Sequence, residues 1–369
     1  MSGLPADGRA GGGSRSRLDG DSWPVTTAGA IAMGNLDARI EGLTSQASRG
    51  SLTGAGWGEL VELTALRGHV LGRIDESERA ATLAEAFVDL APRDPLSHLA
   101  CARAAAFFHR FPAALAELDA AAALGLDGRS LDAERAAVHQ AVGRYDEALA
   151  LHRRALAMRP DFSALAALAG WHAERGRTVA AETWLLAARR AHRGVSPFPL
   201  AVLECRCGQM WLAQGDLRRA RSLLESAARR LPAYVPAQRH LADVDAAEGR
   251  AGAAIGRLRR AAAGDDPDCA ARLASVLGEA GAAAEARFWR AHAAERYEDL
   301  LARHPEAYAD HAAEFWLTVG GDPQRALRLA LRNLEFRPTP RAHMLVDHAM
   351  CQCRTGPIAP APGTTSADA

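Results

Sequence analysis

From Gly143 to Pro160 the chain reads GRYDEALALHRRALAMRP. Tyr145, Ala148, Leu149, His152, Ala155 and Leu156 recur every three or four residues, which places them on one face of a helix. The glycine that opens the stretch suits the left-handed conformation that ends a preceding helix. The proline that closes it has no N–H and disfavours helix in the residue before it. The layout returns in CGQMWLAQGDLRRARSLLESAARRLP, from Cys207 to Pro232, as two short helices broken by QGD. Small residues in the same setting recur at Ala80, Ala114, Ala148, Ala181, Ala220, Ala254, Ala286 and Ala326. Ala80, Ala114 and Ala148 lie 34 residues apart, as do Ala220 and Ala254, and the other gaps fall a few residues either side. Gly143, Gly176, Gly215, Gly249 and Gly281 each stand five residues before one of these alanines. Pro160, Pro232 and Pro338 each follow one by twelve.

A pattern that repeats at a near-fixed period predicts a stacked array. Alanine where two helices cross lets their axes approach to the lower end of the usual ~8–10 Å separation. One hairpin of this kind cannot bury its apolar faces alone, so neighbours must stack into a one-dimensional solenoid. The units frame as 61–94, 95–128, 129–161, 162–200, 201–234, 235–266, 267–305 and 306–340, with a closing helix 341–355. Residues 1–52 form a low-complexity, disordered N-terminal segment with one weak helix in NLDARIEGLTSQASRG. Residues 53–356 form the solenoid, and residues 357–369 form a flexible tail.

Composition sharpens the class. All 44 basic residues are arginine, and they balance 44 acids. Alanine, leucine, arginine and glutamate favour helix, and aromatic residues make up only 5% of the chain, so the chain is all-α. A net charge of zero points to neither nucleic acid nor an anionic membrane. The cysteines Cys101, Cys205, Cys207, Cys269, Cys351 and Cys353 show no CxxC spacing, which fits neither a zinc ribbon nor a disulfide scaffold. The N-terminus lacks the apolar core of a signal peptide, and VTTAGAIAM is too short and polar to supply one. Met33 is an alternative start. No stretch is long and apolar enough to span a bilayer. These features together place the protein in the cytoplasm.

The repeat resembles the tetratricopeptide repeat (TPR). Cys207-Gly208, Trp211, Gly215-Asp216-Leu217, Ala220, Leu224, Ala227 and Pro232 carry the resemblance, and GRYDEALALHRRALAMRP matches the second helix more closely. It covers roughly residues 57–356. The insert RGVSPFPL, the long helix ending in YEDLLARHP and an extra residue at GGD depart from the pattern. HAAEFWL and NLEFRPTPRAH give the C-terminal end a bacterial character. The resemblance implies a right-handed α-solenoid of about seven to eight repeats plus a closing helix. It also implies a concave groove, lined by the first helix of each hairpin, where a protein or peptide partner binds. Carried onto this sequence, the groove positions are Arg206, Gln209, Arg239, His240, Asp243, Arg272, Ser275, Asp310, His311 and Glu314. The N-terminal half offers the blander Leu99, Arg103, Ala133, Ala137 and Gly170, so the binding site is assigned to the C-terminal half.

Chemistry beyond binding finds little support. A lysine–asparagine clamp for terminal carboxylates is excluded by composition, although Arg206, Arg239 and Arg272 offer bidentate substitutes. HLAD and HAAE each put a histidine and an acid three residues apart on one helix face, at His240/Asp243 and His311/Glu314. The two pairs lie too far apart along the array to share an ion, so each is read as a local hydrogen bond and no metal is assigned. A ligand- or metal-responsive module centred on His311 and Glu314 is the alternative function. Cys205 and Cys207 are read as buried thiols pointing to different sides of one helix, Cys351 and Cys353 as exposed ones. No phosphate loop, GxSxG, HExxH or dinucleotide glycine pattern occurs, so neither an enzyme nor a cofactor is expected. The arginine clusters RRALAMR, RRLP, GRLRR and RALRLALR fall on second helices, without the aromatics that stack bases.

Overall fold

The structure, a computed structural model, describes residues 24–355. The first 23 residues of the N-terminal segment and the expected tail lie outside the described residues. The described chain holds eighteen α-helices and no strand. A single helix, α1 (Gly29–Ser48), comes first. Eight hairpins follow: α2 (Gly54–Leu71) with α3 (Ile74–Leu90), α4 (Pro95–Phe107) with α5 (Phe111–Ala123), α6 (Gly128–Ala141) with α7 (Tyr145–Met158), and α8 (Phe162–Glu174) with α9 (Thr178–Ala191). The array continues with α10 (Phe198–Ala213) and α11 (Leu217–Arg230), α12 (Val235–Ala247) and α13 (Ala251–Ala261), α14 (Pro267–Glu279) and α15 (Ala283–Arg303), and α16 (Pro305–Leu317) and α17 (Pro323–Phe336). A closing helix, α18 (Pro340–Thr355), packs on the last hairpin.

The turn and stop residues act as the pattern implies. All five predicted turn glycines have positive φ, for example 76° at Gly215. Each tight turn then starts the second helix, and Asp216 caps α11 by accepting from the Arg219 N–H at 3.0 Å. Ala114, Ala148, Ala181, Ala220, Ala254 and Ala326 are fully buried where paired helices meet, and Ala80 is nearly so. Ala286 departs from this expectation and is only half-buried. The 21-residue α15 instead makes its tight contact two turns later, through Ala293, Tyr297 and Leu300.

The N-terminal segment also differs from expectation. Its helix is twenty residues long and buries Ala32, Leu36, Ile40 and Leu43, the last three against Leu60 of α2 with Phe198 of α10 packed alongside. Apolar residues at spacings of four, four and three give it a packing face. Just before it, the Thr27 N–H donates to the Val195 carbonyl at 2.8 Å. The Arg230 guanidinium reaches the Pro24 carbonyl and Thr26 Oγ1, each at 3.0 Å.

These contacts belong to a seam between successive superhelical turns. Each of the first three hairpins meets the chain about five hairpins later. The Ile74 and Asp75 N–H groups at the start of α3 donate to the Asp265 carboxylate at 2.8 and 3.0 Å. His69 Nε2 lies 2.9 Å from the Tyr234 hydroxyl. Glu78 accepts from His304 at 2.8 Å and pairs with Arg303. The His109 ring donates to the Glu306 carbonyl at 3.1 Å, and Arg337 to the Ala141 carbonyl at 3.2 Å. The array therefore coils back on itself and encloses a channel.

Candidate functional site

The first helices of the hairpins line the channel. In the C-terminal half a cavity of about 610 Å³ takes Gln209 from α10, Arg239, His240 and Asp243 from α12, and Arg272 and Ser275 from α14. His311 and Glu314 of α16 complete the predicted set there. These side chains share a wall because hairpins stack in register and each helix presents positions three or four apart. A neighbouring space of about 370 Å³ runs toward α2 and shares Gln209, Arg239, His240 and His311. Arg206 lines this second space and not the first.

Asp310 corrects the predicted set. Its side chain is buried behind the wall, where Oδ2 accepts from Arg337 at 3.0 Å. Adjacent helical residues point about 100° apart. With His311 turned into the channel, Asp310 faces the end of α17.

Asp268, near the start of α14, is the hub of the wall. Its carboxylate accepts from Arg239, from the Tyr297 hydroxyl and, at 3.1 Å, from His311 Nδ1. Burial alone would raise this carboxyl, but the charges of His311 and Arg239 hold it well below the usual range. Asp268 in turn raises His311 to about 10, so the imidazole is a cation at neutral pH. Burial pushes the nearby Asp266 carboxyl up, and the Asp268 charge adds to the shift. His240 is lowered by burial, and its Nδ1 lies 3.3 Å from Asp243.

The wall is charged with both signs in alternation. Arg272 lies 3.5 Å from Asp243, and Arg341 of α18 donates to Glu314 at 2.7 Å. Arg272, Arg341 and Glu314 keep 60%, 68% and 45% of their side-chain surface exposed. Phe315, Leu317, Met344 and Leu345 supply apolar surface beside them. Asp268, Tyr297, Arg341 and Met344 were missed in the sequence. Arg341, Met344, Leu345 and His348 follow the groove spacing of the preceding first helices, so extending that spacing into the closing helix would have found them.

The donor set does not suit a metal at His311 and Glu314. Nδ1 of His311 is committed to Asp268, a protonated imidazole has no lone pair to give, and Glu314 is paired with Arg341. The expected His311–Glu314 hydrogen bond is replaced by these two contacts, whereas the His240–Asp243 contact forms. Cys205 and Cys207 are both buried, in the core cluster that α10 shares with its neighbouring helices. Cys351 is exposed and Cys353 half-buried.

Residues 140–197 match the sequence profile of the tetratricopeptide repeat family. No curated protein matches the chain. Solved structures with a similar fold include a monomeric mutant of IFIT1 with Gppp-AAAA, at TM-score 0.54 and 16% identity, covering 87% of this chain and 77% of that one. The Cut9–Hcn1 hetero-tetramer of APC/C is similar at TM-score 0.50 and 13% identity, covering 79% of this chain and 55% of that one. PilF of Pseudomonas aeruginosa reaches 0.41 at 17% identity, covering 61% and 97% respectively.

Proposed function

Because the chain carries tetratricopeptide repeats in an all-α solenoid, we propose that it is a non-enzymatic scaffold that binds an extended peptide segment of a partner protein inside its channel. The observation that carries this reading is the C-terminal cavity, whose wall draws from five successive units and alternates cations, acids and apolar patches. An extended peptide presents donors, acceptors and side chains of both kinds at regular spacing, and such a wall complements it along its length. Nucleic acid fits less well. The guanidinium groups of Arg239, Arg272 and Arg341 each already face a carboxylate, and a polyanion would leave those carboxylates repelled.

The test reverses the exposed charges and leaves the Asp268 hub intact. The protein and an Arg272→Glu/Arg341→Glu variant are used to capture partners, and captured peptides are measured by titration. The expected result is a specific partner whose affinity for the variant falls at least tenfold while the variant melts normally. A variant that retains full affinity, or a protein that prefers a short RNA to every captured peptide, would overturn the reading.

A further inference from the structure

Between the C-terminal cavity and the N-terminal hairpins the channel changes character. A third space, about 480 Å³, opens where α8 and α10 face α2. Leu66, Phe162, Phe198 and Val202 give it large apolar walls, and beyond Phe162 α8 contributes only small residues toward it. Its one charged lining residue is Arg206. Arg206 is exposed to the channel and makes no hydrogen bond or ion pair with any described residue. It contrasts with Arg239, Arg272 and Arg341, all of which face acids.

A cavity of this size, apolar with one placed polar group at its end, has the make-up of a small-molecule site. The apolar walls favour a hydrocarbon body, whose surface they remove from water. The single uncompensated guanidinium favours a single negative charge, and its planar fork matches a carboxylate through two parallel hydrogen bonds. A phosphate dianion carries a second charge that this one guanidinium does not pair.

We infer that this pocket binds a medium- or long-chain carboxylate, with the hydrocarbon between α2, α8 and α10 and the carboxylate on Arg206. The site adjoins the C-terminal wall, because Arg206 also borders the space that Gln209 and Arg239 line, but its test does not depend on that wall. Gly170 of α8 lines the pocket, and a Cβ added there would meet no other atom within 4 Å. A Gly170→Phe variant therefore fills the pocket without a backbone clash, and Arg206→Leu removes the charge from an exposed position.

The experiment titrates the full-length protein with dodecanoate, dodecanol, dodecyl phosphate and dodecyltrimethylammonium below their aggregation concentrations. One dodecanoate should bind per chain, at least tenfold more tightly than the alcohol or the ammonium. Arg206→Leu should bring dodecanoate down to the level of dodecanol. Gly170→Phe should weaken both at least tenfold while circular dichroism and melting stay unchanged. Binding that ignores head-group charge, survives both variants, or favours the phosphate over the carboxylate would overturn the assignment.

Discussion

Asp268 gathers a guanidinium, a phenol and an imidazole from three different helices. That geometry makes His311 a reporter of the channel. Its folded pKa of about 10 lies above the ~6.5 of a free imidazole. A group raised on folding contributes fully below its unfolded pKa and loses that contribution as pH rises through the folded one. Unfolding by urea should therefore show stability falling between pH 7 and pH 10, and the His311→Gln variant should lack that part of the slope. His311 keeps 40% of its side chain open to the channel, so solvent screening makes the drop smaller than the shift alone implies. Identical slopes in the two proteins would show that the pair carries no linkage. The hub was invisible beforehand, because nothing in a linear pattern pairs residue 268 with residues 239, 297 and 311. The groove residues around it were legible because their spacing repeats.

Among the elements, the regular ones were read and the irregular ones were not. Gly215 and Ala220 announce a turn and a close contact by residue type. His109 makes the corresponding turn after α4 with φ 57°, in a conformation that costs a non-glycine residue about 1–2 kcal/mol. Its ring donates to the Glu306 carbonyl and stacks on Phe111. Those contacts hold the turn, and they come partly from the next superhelical turn. Helix α1 was underestimated for a related reason. Its polar flanks read as disorder, and its partners at Phe198 and Arg230 lie more than 150 residues away. Ile40 is only 2% exposed. Replacing it with alanine should cost about 2–3 kcal/mol in a denaturant melt. A loss under 0.5 kcal/mol would show that α1 merely lies on the surface.

For the molecule as a whole, the seam sets the properties of the channel. Asp265 caps the first N–H groups of α3 from about 190 residues away and also pairs with Arg296 at 3.0 Å. Each capping bond to a charged acceptor contributes about 1.5–3 kcal/mol. The Asp265→Ala variant should therefore show amide exchange at Ile74 and Asp75 faster by tenfold or more, with amides buried in α10 and α11 unaffected. Exchange that stays at the wild-type rate would mean that other contacts hold the two turns together. An open seam would also widen the entrance for a peptide, so the same variant should capture a partner faster.

The five-hairpin offset has one more consequence. In an array where each unit meets only its neighbours, a hairpin can be gained or lost and the rest adjusts. Here, inserting one between Ala91 and Asp94 would leave every local turn intact and still misplace every pairing that spans the insertion. His69 would no longer reach Tyr234, and the Ile74 and Asp75 amides would no longer meet Asp265. The chain is open-ended, yet it is bound by a counting rule of the kind that governs closed rings. Its descendants can vary freely in loop and surface, but not in how many units stand between one contact and its mate.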